Sequence, residues 1–290
     1  MLPADGHIPK QEEAAPDSFR KEEKKRMIID FHTHAFPDKV ADRAVSRLMS
    51  LSPADYIPQS DGTVSGLLGT MDKWNIDISL LQPVITNPKQ FHSVNLWAKE
   101  VQSDRIRSFG GIHPDTQDYK GDIDFICELG LKGIKLHPEY QGFTLNEPKM
   151  MRIYEYAFSR GLMILFHAGD DPAYPPPYHS HPRMFAQLVK EFPGATIIAA
   201  HLGGINMWPD VEKYLCGLDI YLDTSAGFGR YGKERFMRIL KLHGAEKLLF
   251  GTDAPWNPAD REINSIRSLP ISEAEKEAIF CGNARKLLGI

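Results

Sequence analysis

Short β-branched or aliphatic runs alternate with longer stretches of helical periodicity from residue 27 to the end of the chain. Apolar runs bounded by turn residues are typical of buried strands, whereas apolar residues spaced three and four apart indicate helices. The predicted strands lie at 27–34, 78–85, 105–114, 131–138, 162–169, 196–204, 220–226 and 247–256. Helices are predicted between them, the clearest at 94–102, 147–160 and 233–243.

Eight strand–helix units in this order predict an α/β fold, a (β/α)8 TIM barrel spanning 27–290. A doubly wound open sheet is the alternative, disfavoured because no strand is followed by a GxGxxG fingerprint. The interval 35–77 is too long for one helix, so we expect an inserted loop after strand 1 that covers the site. Residues 272–288 are predicted to form the closing helices. Residues 1–26 are predicted to be a charged N-terminal extension, because they contain few apolar residues.

Composition narrows the class of protein. The 290-residue chain has a formal net charge of −4, which disfavours binding to nucleic acid or an anionic membrane. No apolar segment approaches the ~20 residues that cross a bilayer, and no hydrophobic stretch near the N-terminus resembles a secretion signal. A cytoplasmic enzyme is therefore expected. The three cysteines are widely spaced and odd in number, so we expect reduced thiols in the core.

Polar residues stand where the predicted strands end. In a barrel all these ends lie on one rim, so residues far apart in sequence converge there. The set comprises His32, His34, His113, Lys135, His137, His167, His201, Asp223 to Ser225, and Asp253. Several histidines in company with carboxylates predict a site at this rim.

His32 and His34 are the first candidates for metal ligands. Residues i and i+2 of a strand point to the same side, so both imidazoles can reach one cation. Neutral imidazoles with a carboxylate suit Zn²⁺, with Mn²⁺, Fe²⁺ or Co²⁺ as alternatives. Taken alone, the pair is equally consistent with hydrogen-bonded histidines at a strand end. The matching residues on later strands favour the metal, and Asp30, on the same face, is expected to be a supporting hydrogen-bonding residue.

The motifs DFHTH, GIKLHP, LFHAGD, IIAAHLGG, LLFGTDAPW and GNARKLL occur in this order from about residue 27 to 288. This ordered set resembles the amidohydrolase superfamily, and within it the amidohydrolase-related group that includes aminocarboxymuconate semialdehyde decarboxylase. The resemblance implies one divalent metal held by His32, His34, His167 and Asp253. It also implies that His201 or Asp253 handles the proton of the reacting water.

Lys135 has two interpretations. In binuclear members of the resembled superfamily a carbamoylated lysine bridges two metals, whereas an unmodified lysine pairs with a substrate carboxylate. The resemblance is closer to mononuclear members, so the second interpretation is favoured. Further candidates for substrate binding are His137, which is expected to point into the site with Lys135, and Tyr140, Arg230 and Trp256, for which helix packing is the alternative.

A second HxH motif, His179 and His181, lies in a Pro-rich loop. No further ligand accompanies it, so loop or substrate-specificity positions are favoured over a metal site.

The leading functional hypothesis is a metal-dependent hydrolase in which activated water attacks an amide, ester or lactone of a small, carboxylate-bearing substrate. The alternative is a nonoxidative, metal-dependent decarboxylase. A barrel that keeps the metal but only binds ligands is a third class. The expected partner is a small molecule, with a homodimer possible.

Overall fold

A computed structural model describes residues 26–51 and 57–290. The predicted N-terminal extension therefore lies outside the described residues, except for Arg26. The strands of the described part are β1 Ile29–Thr33, β2 Ile78–Leu81, β3 Ile106–Ser108, β4 Gly110–Gly111, β5 Gly133–Leu136, β6 Met163–Phe166, β7 Ile197–Ala199, β8 Tyr221–Asp223 and β9 Leu248–Leu249. Each lies inside one of the predicted strands.

The strands form a parallel TIM barrel, as predicted. Hydrogen bonds pair neighbouring strands in two groups, β1-β2-β3 and β4 to β9 in sequence order. Strands β3 and β4 together correspond to one predicted strand, which is interrupted at Phe109. The Phe109 amide donates to Leu81 O (3.0 Å), which links the two halves of the barrel. At the other seam, Phe31 N donates to Phe250 O (2.8 Å) and Asp253 N donates to His32 O (2.8 Å). The first and last strand regions are thus joined where His32 and Asp253 lie.

The helices of the described residues follow the strands. They are α1 Asp38–Met49, α2 Val64–Trp74, α3 Phe91–Glu100, α4 Tyr119–Glu128, α5 Pro138–Gln141, α6 Pro148–Ser159, α7 Pro182–Glu191, α8 Trp208–Tyr214, α9 Phe228–His243, α10 Ala259–Arg267, α11 Glu273–Glu277 and α12 Asn283–Leu288. The predicted helices at 94–102 and 147–160 correspond to α3 and α6. The predicted helix at 233–243 corresponds to the part of α9 that follows Gly232, whose non-helical φ of 72° separates it from a short turn at 228–231. The closing helices are α11 and α12.

The insertion after β1 contains α1. This helix buries only Ala41, whereas α2 buries Leu67, Met71 and Trp74 and serves as the barrel helix. Beyond α1, the amide of Gln59 donates to Pro255 O (2.7 Å), in the segment that follows Asp253. The insertion therefore reaches the rim that carries the candidate site.

Two hydrophobic clusters support this rim. The larger joins the outer faces of the strands to the helices, and the smaller joins strand residues such as Phe31, Phe109, Leu165 and Leu249 to α12. All three cysteines are free as expected, but only Cys281 is buried, whereas Cys127 and Cys216 are partly exposed and pack against the larger cluster. In the described part of the chain, no helix has the length and apolar character of a membrane span.

Candidate active site

Three of the predicted metal ligands lie together at the rim. One ligand atom each from His32, His34 and Asp253 fall within 4.8 Å of one another. Asp253 Oδ1 is 3.2 Å from His34 Nε2 and 3.6 Å from His32 Nε2. The other nitrogen of His34 lies 3.1 Å from the carbonyl oxygen of Gln82 at the end of β2. Two imidazole nitrogens and a carboxylate oxygen are a donor set that suits a divalent transition metal.

His167, the fourth predicted ligand, faces His201 instead of this cluster. Its Nδ1 is 3.0 Å from His201 Nε2, and its Nε2 is 2.9 Å from Asp170 O. A chain of contacts continues from His201 Nδ1 through the Ser225 hydroxyl (2.9 Å) to Asp223. Asp170 O and an ionised Asp223 can only accept hydrogen bonds. The row has four contacts: Asp170 to His167, His167 to His201, His201 to Ser225, and Ser225 to Asp223. Two neutral histidines and one serine supply only three hydrogens, so one contact lacks a hydrogen.

Protonation of His167 or His201 would supply the missing hydrogen, but it is unfavourable in this buried site. Burial lowers the pKa of both histidines well below 6.5, and the neighbouring histidines and Lys135 lower it further. A divalent cation that takes up a nitrogen lone pair removes the deficit without protonating either ring. The residues at this rim therefore fit the predicted metal.

The backbone has an unusual conformation at His201 and Asp253. His201 and Asp253 have positive φ values of 59° and 64°, a region that non-glycine residues seldom occupy. The carbonyl oxygen of His201 accepts a hydrogen bond from Trp208 Nε1 (3.1 Å), and Asp253 N is held by His32 O (2.8 Å). Tertiary contacts thus fix a backbone that aims both side chains at the rim.

Lys135 lies inside the barrel, on β5, and is fully buried. Its Nζ is 3.3 Å from His32 Nε2. Burial lowers the pKa of Lys135 to about 8, although Asp223 and Asp253 oppose the shift. Within 26–51 and 57–290 it forms no ion pair with a carboxylate. Lys135 is therefore a buried cation at neutral pH.

A stack of flat rings continues outward from His167. His137 stacks on His167 with ring centroids 4.0 Å apart and an interplanar angle of 9°, and Tyr140 stacks on His137 at 3.8 Å and 14°. His137 Nε2 lies 3.5 Å from Asp171 Oδ2. Ligand atoms of His137, His167 and Asp171 also lie within 4.8 Å, but lone pairs of parallel stacked rings run side by side and do not converge on one ion. We interpret the stack as a wall of the site.

The remaining sequence candidates lie farther out. Trp256 is half-buried in the turn after Asp253, and Arg230 is half-buried in the first turn of α9. His113 holds the loop after β4 by accepting from Asp115 N (3.1 Å). His181 caps α7 by accepting from Arg183 N (3.1 Å), and His179 lies outside the ligand groups found in the described residues. The second HxH motif therefore has a loop role, as expected.

Asp30 is the supporting residue that the sequence indicated. It accepts hydrogen bonds from His32 N (3.2 Å), Thr252 N (3.0 Å) and Thr252 Oγ1 (2.6 Å). Burial raises its pKa to about 7 in spite of these donors. Asp30 thus ties the first strand to the segment that carries Asp253.

Three further residues of the site were given no individual role from the sequence. Asp223 Oδ2 accepts from His32 Nδ1 (2.8 Å), Ser225 contacts His201, and Asp171 lies beside His137. Asp223 and Ser225 belong to a strand end, which was a usable signal. Asp171 stands in a loop, and nothing in the local sequence separates it from the other acidic residues there.

The barrel fold and a rim of histidines and carboxylates define a metal-dependent enzyme of the amidohydrolase superfamily. The family model described as amidohydrolase matches residues 29–290. The chain belongs to this family, and the resemblance found in its motifs is confirmed.

One curated relative is the 2-amino-3-carboxymuconate-6-semialdehyde decarboxylase of Dictyostelium discoideum. It is 25% identical over 204 residues, which cover 57% of this chain and 55% of the relative. The chain thus aligns with about half the length of that relative.

Solved structures share the fold at low identity. A 5-carboxyvanillate decarboxylase variant from Novosphingobium aromaticivorans, with bound manganese, has a TM-score of 0.70 at 14% identity, covering 92% of this chain and 98% of that one. A probable 2-pyrone-4,6-dicarboxylic acid hydrolase from Acinetobacter baumannii has a TM-score of 0.62 at 18% identity, covering 91% and 99%. Decarboxylases and a hydrolase are thus built on the same barrel.

Proposed function

We propose that this protein is a metal-dependent decarboxylase of a small aromatic or unsaturated carboxylic acid. The observation that carries the proposal is Lys135, a buried cation beside the cluster of His32, His34 and Asp253. A buried charge without an ion-pair partner is costly, and a substrate carboxylate would remove that cost. The carboxylate would then lie at the centre of the site, where bonds are broken, rather than at a remote anchor.

The wall of the site suits a flat substrate. Tyr140 and His137 present parallel rings, and Tyr174 lies beyond Tyr140 at 5.6 Å between centroids. Planar π-systems stack favourably on such rings, whereas a bulky saturated group does not. An aromatic or conjugated acid with its carboxylate directed at Lys135 meets both requirements.

The reaction needs a proton at the carbon that loses the carboxylate. When bound, a divalent cation supplies positive charge that polarises the substrate and stabilises negative charge on its oxygens. His201 Nε2 would take a proton from solvent and pass it to that carbon. The bond to the carboxylate breaks, its electron pair stays with the carbon framework, and CO₂ leaves. The low pKa of His201 makes its protonated form a strong acid for this transfer.

The relatives favour this reaction over the hydrolase expected first from the sequence. The curated relative is named as a decarboxylase, as is the manganese-containing structural neighbour, although the latter by itself supports only the fold. Hydrolysis remains the second candidate because His201 Nε2 is equally placed to accept a proton from water. Mn²⁺ or Zn²⁺ is the proposed metal.

The test is to incubate the metal-loaded protein with hydroxybenzoates, unsaturated dicarboxylates and lactones, and to measure CO₂ release and acid production separately. We expect CO₂ from at least one aromatic or unsaturated acid. Lys135→Gln should lower kcat/KM by about 10²-fold, through loss of a charged contact. Lys132→Gln, on the exposed side of the same strand region, is the matched control and should behave like the wild type. Acid production from a lactone without CO₂ from any acid would replace the proposal with the hydrolase.

A further inference from the structure

Asp223 and Ser225 lie beneath both His32 and His201, at the end of β8. Both are fully buried. Asp223 Oδ2 accepts from His32 Nδ1 (2.8 Å), and Oδ1 accepts from the amides of Ser225 (3.0 Å) and His201 (3.1 Å) and from the Ser225 hydroxyl. Amide N–H groups can only donate, so Asp223 Oδ1 is an acceptor in these contacts.

The direction of each hydrogen bond follows from this acceptor. The single hydrogen of the Ser225 hydroxyl points to Asp223. Its oxygen must then accept from His201 Nδ1, which lies 2.9 Å away. The hydrogen of His201 is thereby placed on Nδ1, and Nε2 keeps its lone pair. The contact without a hydrogen is then the one between His201 Nε2 and His167 Nδ1.

The same carboxylate acts on His32. Lys135 Nζ, a cation that can only donate, lies 3.3 Å from His32 Nε2, so the lone pair of His32 is on Nε2. The hydrogen of His32 is then on Nδ1, where Asp223 Oδ2 accepts it at 2.8 Å. Both rings therefore have an unprotonated Nε2, which in His32 faces Lys135 and in His201 faces His167.

These residues do not form a nucleophilic triad, although serine, histidine and aspartate are all present. In such a triad the aspartate orients one ring nitrogen and the serine contacts the other. Here Asp223 contacts the backbone amide of His201, not its ring, and the buried Ser225 oxygen is occupied by Asp223, His201 and His32. Ser225 has no lone pair directed at a substrate.

We propose that Asp223 and Ser225 are positioning residues that fix the tautomers of His32 and His201, so that His32 Nε2 is kept for the metal and His201 Nε2 for proton transfer. The assignment of proton transfer rests on the proposed function, but the tautomers do not. Orienting partners of this kind typically change metal affinity or activity by about 10- to 100-fold when they are removed.

The test is ¹⁵N NMR of the imidazole side chains, in metal-free and Zn²⁺-loaded full-length protein without substrate. In the wild type we expect a protonated Nδ1 and an unprotonated Nε2 for His32 and His201. Ser225→Ala removes the acceptor of His201, and we expect its Nε2-protonated form to appear while His32 keeps its tautomer. Ser108→Ala is the matched control, because the Ser108 hydroxyl is also buried but donates to Phe109 O (2.8 Å).

A second variant covers the case in which Ser225→Ala does not fold. Asp223→Asn keeps the shape of the side chain but presents an amide donor, and we expect altered tautomers of both histidines and Zn²⁺ affinity weakened by about 10- to 100-fold. With an identified substrate, Ser225→Ala should lower kcat by a similar factor while KM and metal content stay unchanged, and Ser225→Thr, which keeps the hydroxyl, should restore much of it.

An Nε2-protonated His201 in the wild type, or an unchanged His201 tautomer in Ser225→Ala, would overturn the inference. If the variants showed the expected tautomer shifts but the protein released no CO₂ from any acid, the positioning role would stand and the proposed reaction would be refuted.

Discussion

Two groups of side chains share the rim but are held in different ways. The inner group, His32, His201, Asp223 and Ser225, is carried by β1, the end of β8 and the turn after β7. The Nδ1 atoms of its two rings have side-chain hydrogen-bond partners at 2.8–3.1 Å. The outer group, His137, Tyr140, Asp171 and Tyr174, is carried by α5 and the loop after β6. Its members stack, and the His137–Asp171 contact is longer, at 3.5 Å.

The difference suggests that the inner group carries out the reaction and that the outer group selects the substrate. Rigid strands and satisfied hydrogen bonds suit groups that must be aimed within a few tenths of an ångström. Loops change more freely, so they suit residues that set which molecule is accepted. The outer loop is nevertheless anchored, because Glu139 of α5 accepts from His179 N (3.0 Å) and Ser180 Oγ (3.1 Å).

The largest effect is expected at the metal ligands. Asp253→Asn should remove the metal and lower kcat by about 10³-fold, because the stabilisation that a cation supplies amounts to several kcal/mol. Metal content by mass spectrometry and steady-state kinetics check this. Asp260→Asn, at an exposed position of α10, is the control. If the Asp253→Asn protein were free of metal and fully active, the metal would not be required for the reaction at this rim.

An intermediate effect is expected in the outer group. Tyr140→Leu removes a stacked ring and should raise KM for a flat acid by about tenfold, with kcat and metal content little changed. Tyr140→Phe keeps the ring and should stay within about threefold of the wild type. If Tyr140→Leu reduced kcat and metal content instead, the division between the two groups would be wrong.

The smallest effect concerns stability and a histidine away from the rim. His243 Nε2 donates to Ile220 O (2.9 Å) and Nδ1 accepts from Gly217 N (3.2 Å), which suits a neutral ring. Burial lowers the pKa of His243 below 6.5. The unfolded state therefore takes up the proton first, and stability, complete above pH 6.5, falls as the pH drops.

His243→Gln should make the pH dependence of the unfolding free energy shallower by at most about 1.4 kcal/mol per pH unit below 6.5, the value for one proton. Denaturant unfolding of metal-loaded protein checks this, because bound metal keeps its histidine ligands unprotonated. An unchanged slope in the variant would show that the pH dependence arises elsewhere, including in the inner group.

Some elements of this protein are easier to predict from the sequence than others. The strands and helices α3 and α6 follow the sequence pattern closely, because apolar periodicity is a local property. The part of α9 after Gly232 was also predicted, whereas the turn at 228–231 was not, because Gly229 and Gly232 weaken the helical signal there. His32, His34 and Asp253 were also found from sequence, since strand ends in a barrel share one rim.

Pairwise contacts at the rim were less predictable. Sequence placed His167 with the ligand cluster, whereas its ring faces His201. The register of β1 shifts between Asp30 and Thr33, the stretch that contains His32, so simple alternation does not describe where each side chain points. Asp171 could not be recognised, because a loop has no period from which to infer a direction.

The sequence by itself determined the barrel, the rim and the residue types gathered there, because strand periodicity and strand-end polarity are written locally along the chain. Only the tertiary structure decided which nitrogen of His32 and of His201 carries the hydrogen. That choice depends on hydrogen bonds such as the one between His32 and Asp223, 191 residues apart, whose distance and direction are set by the packing of the whole barrel.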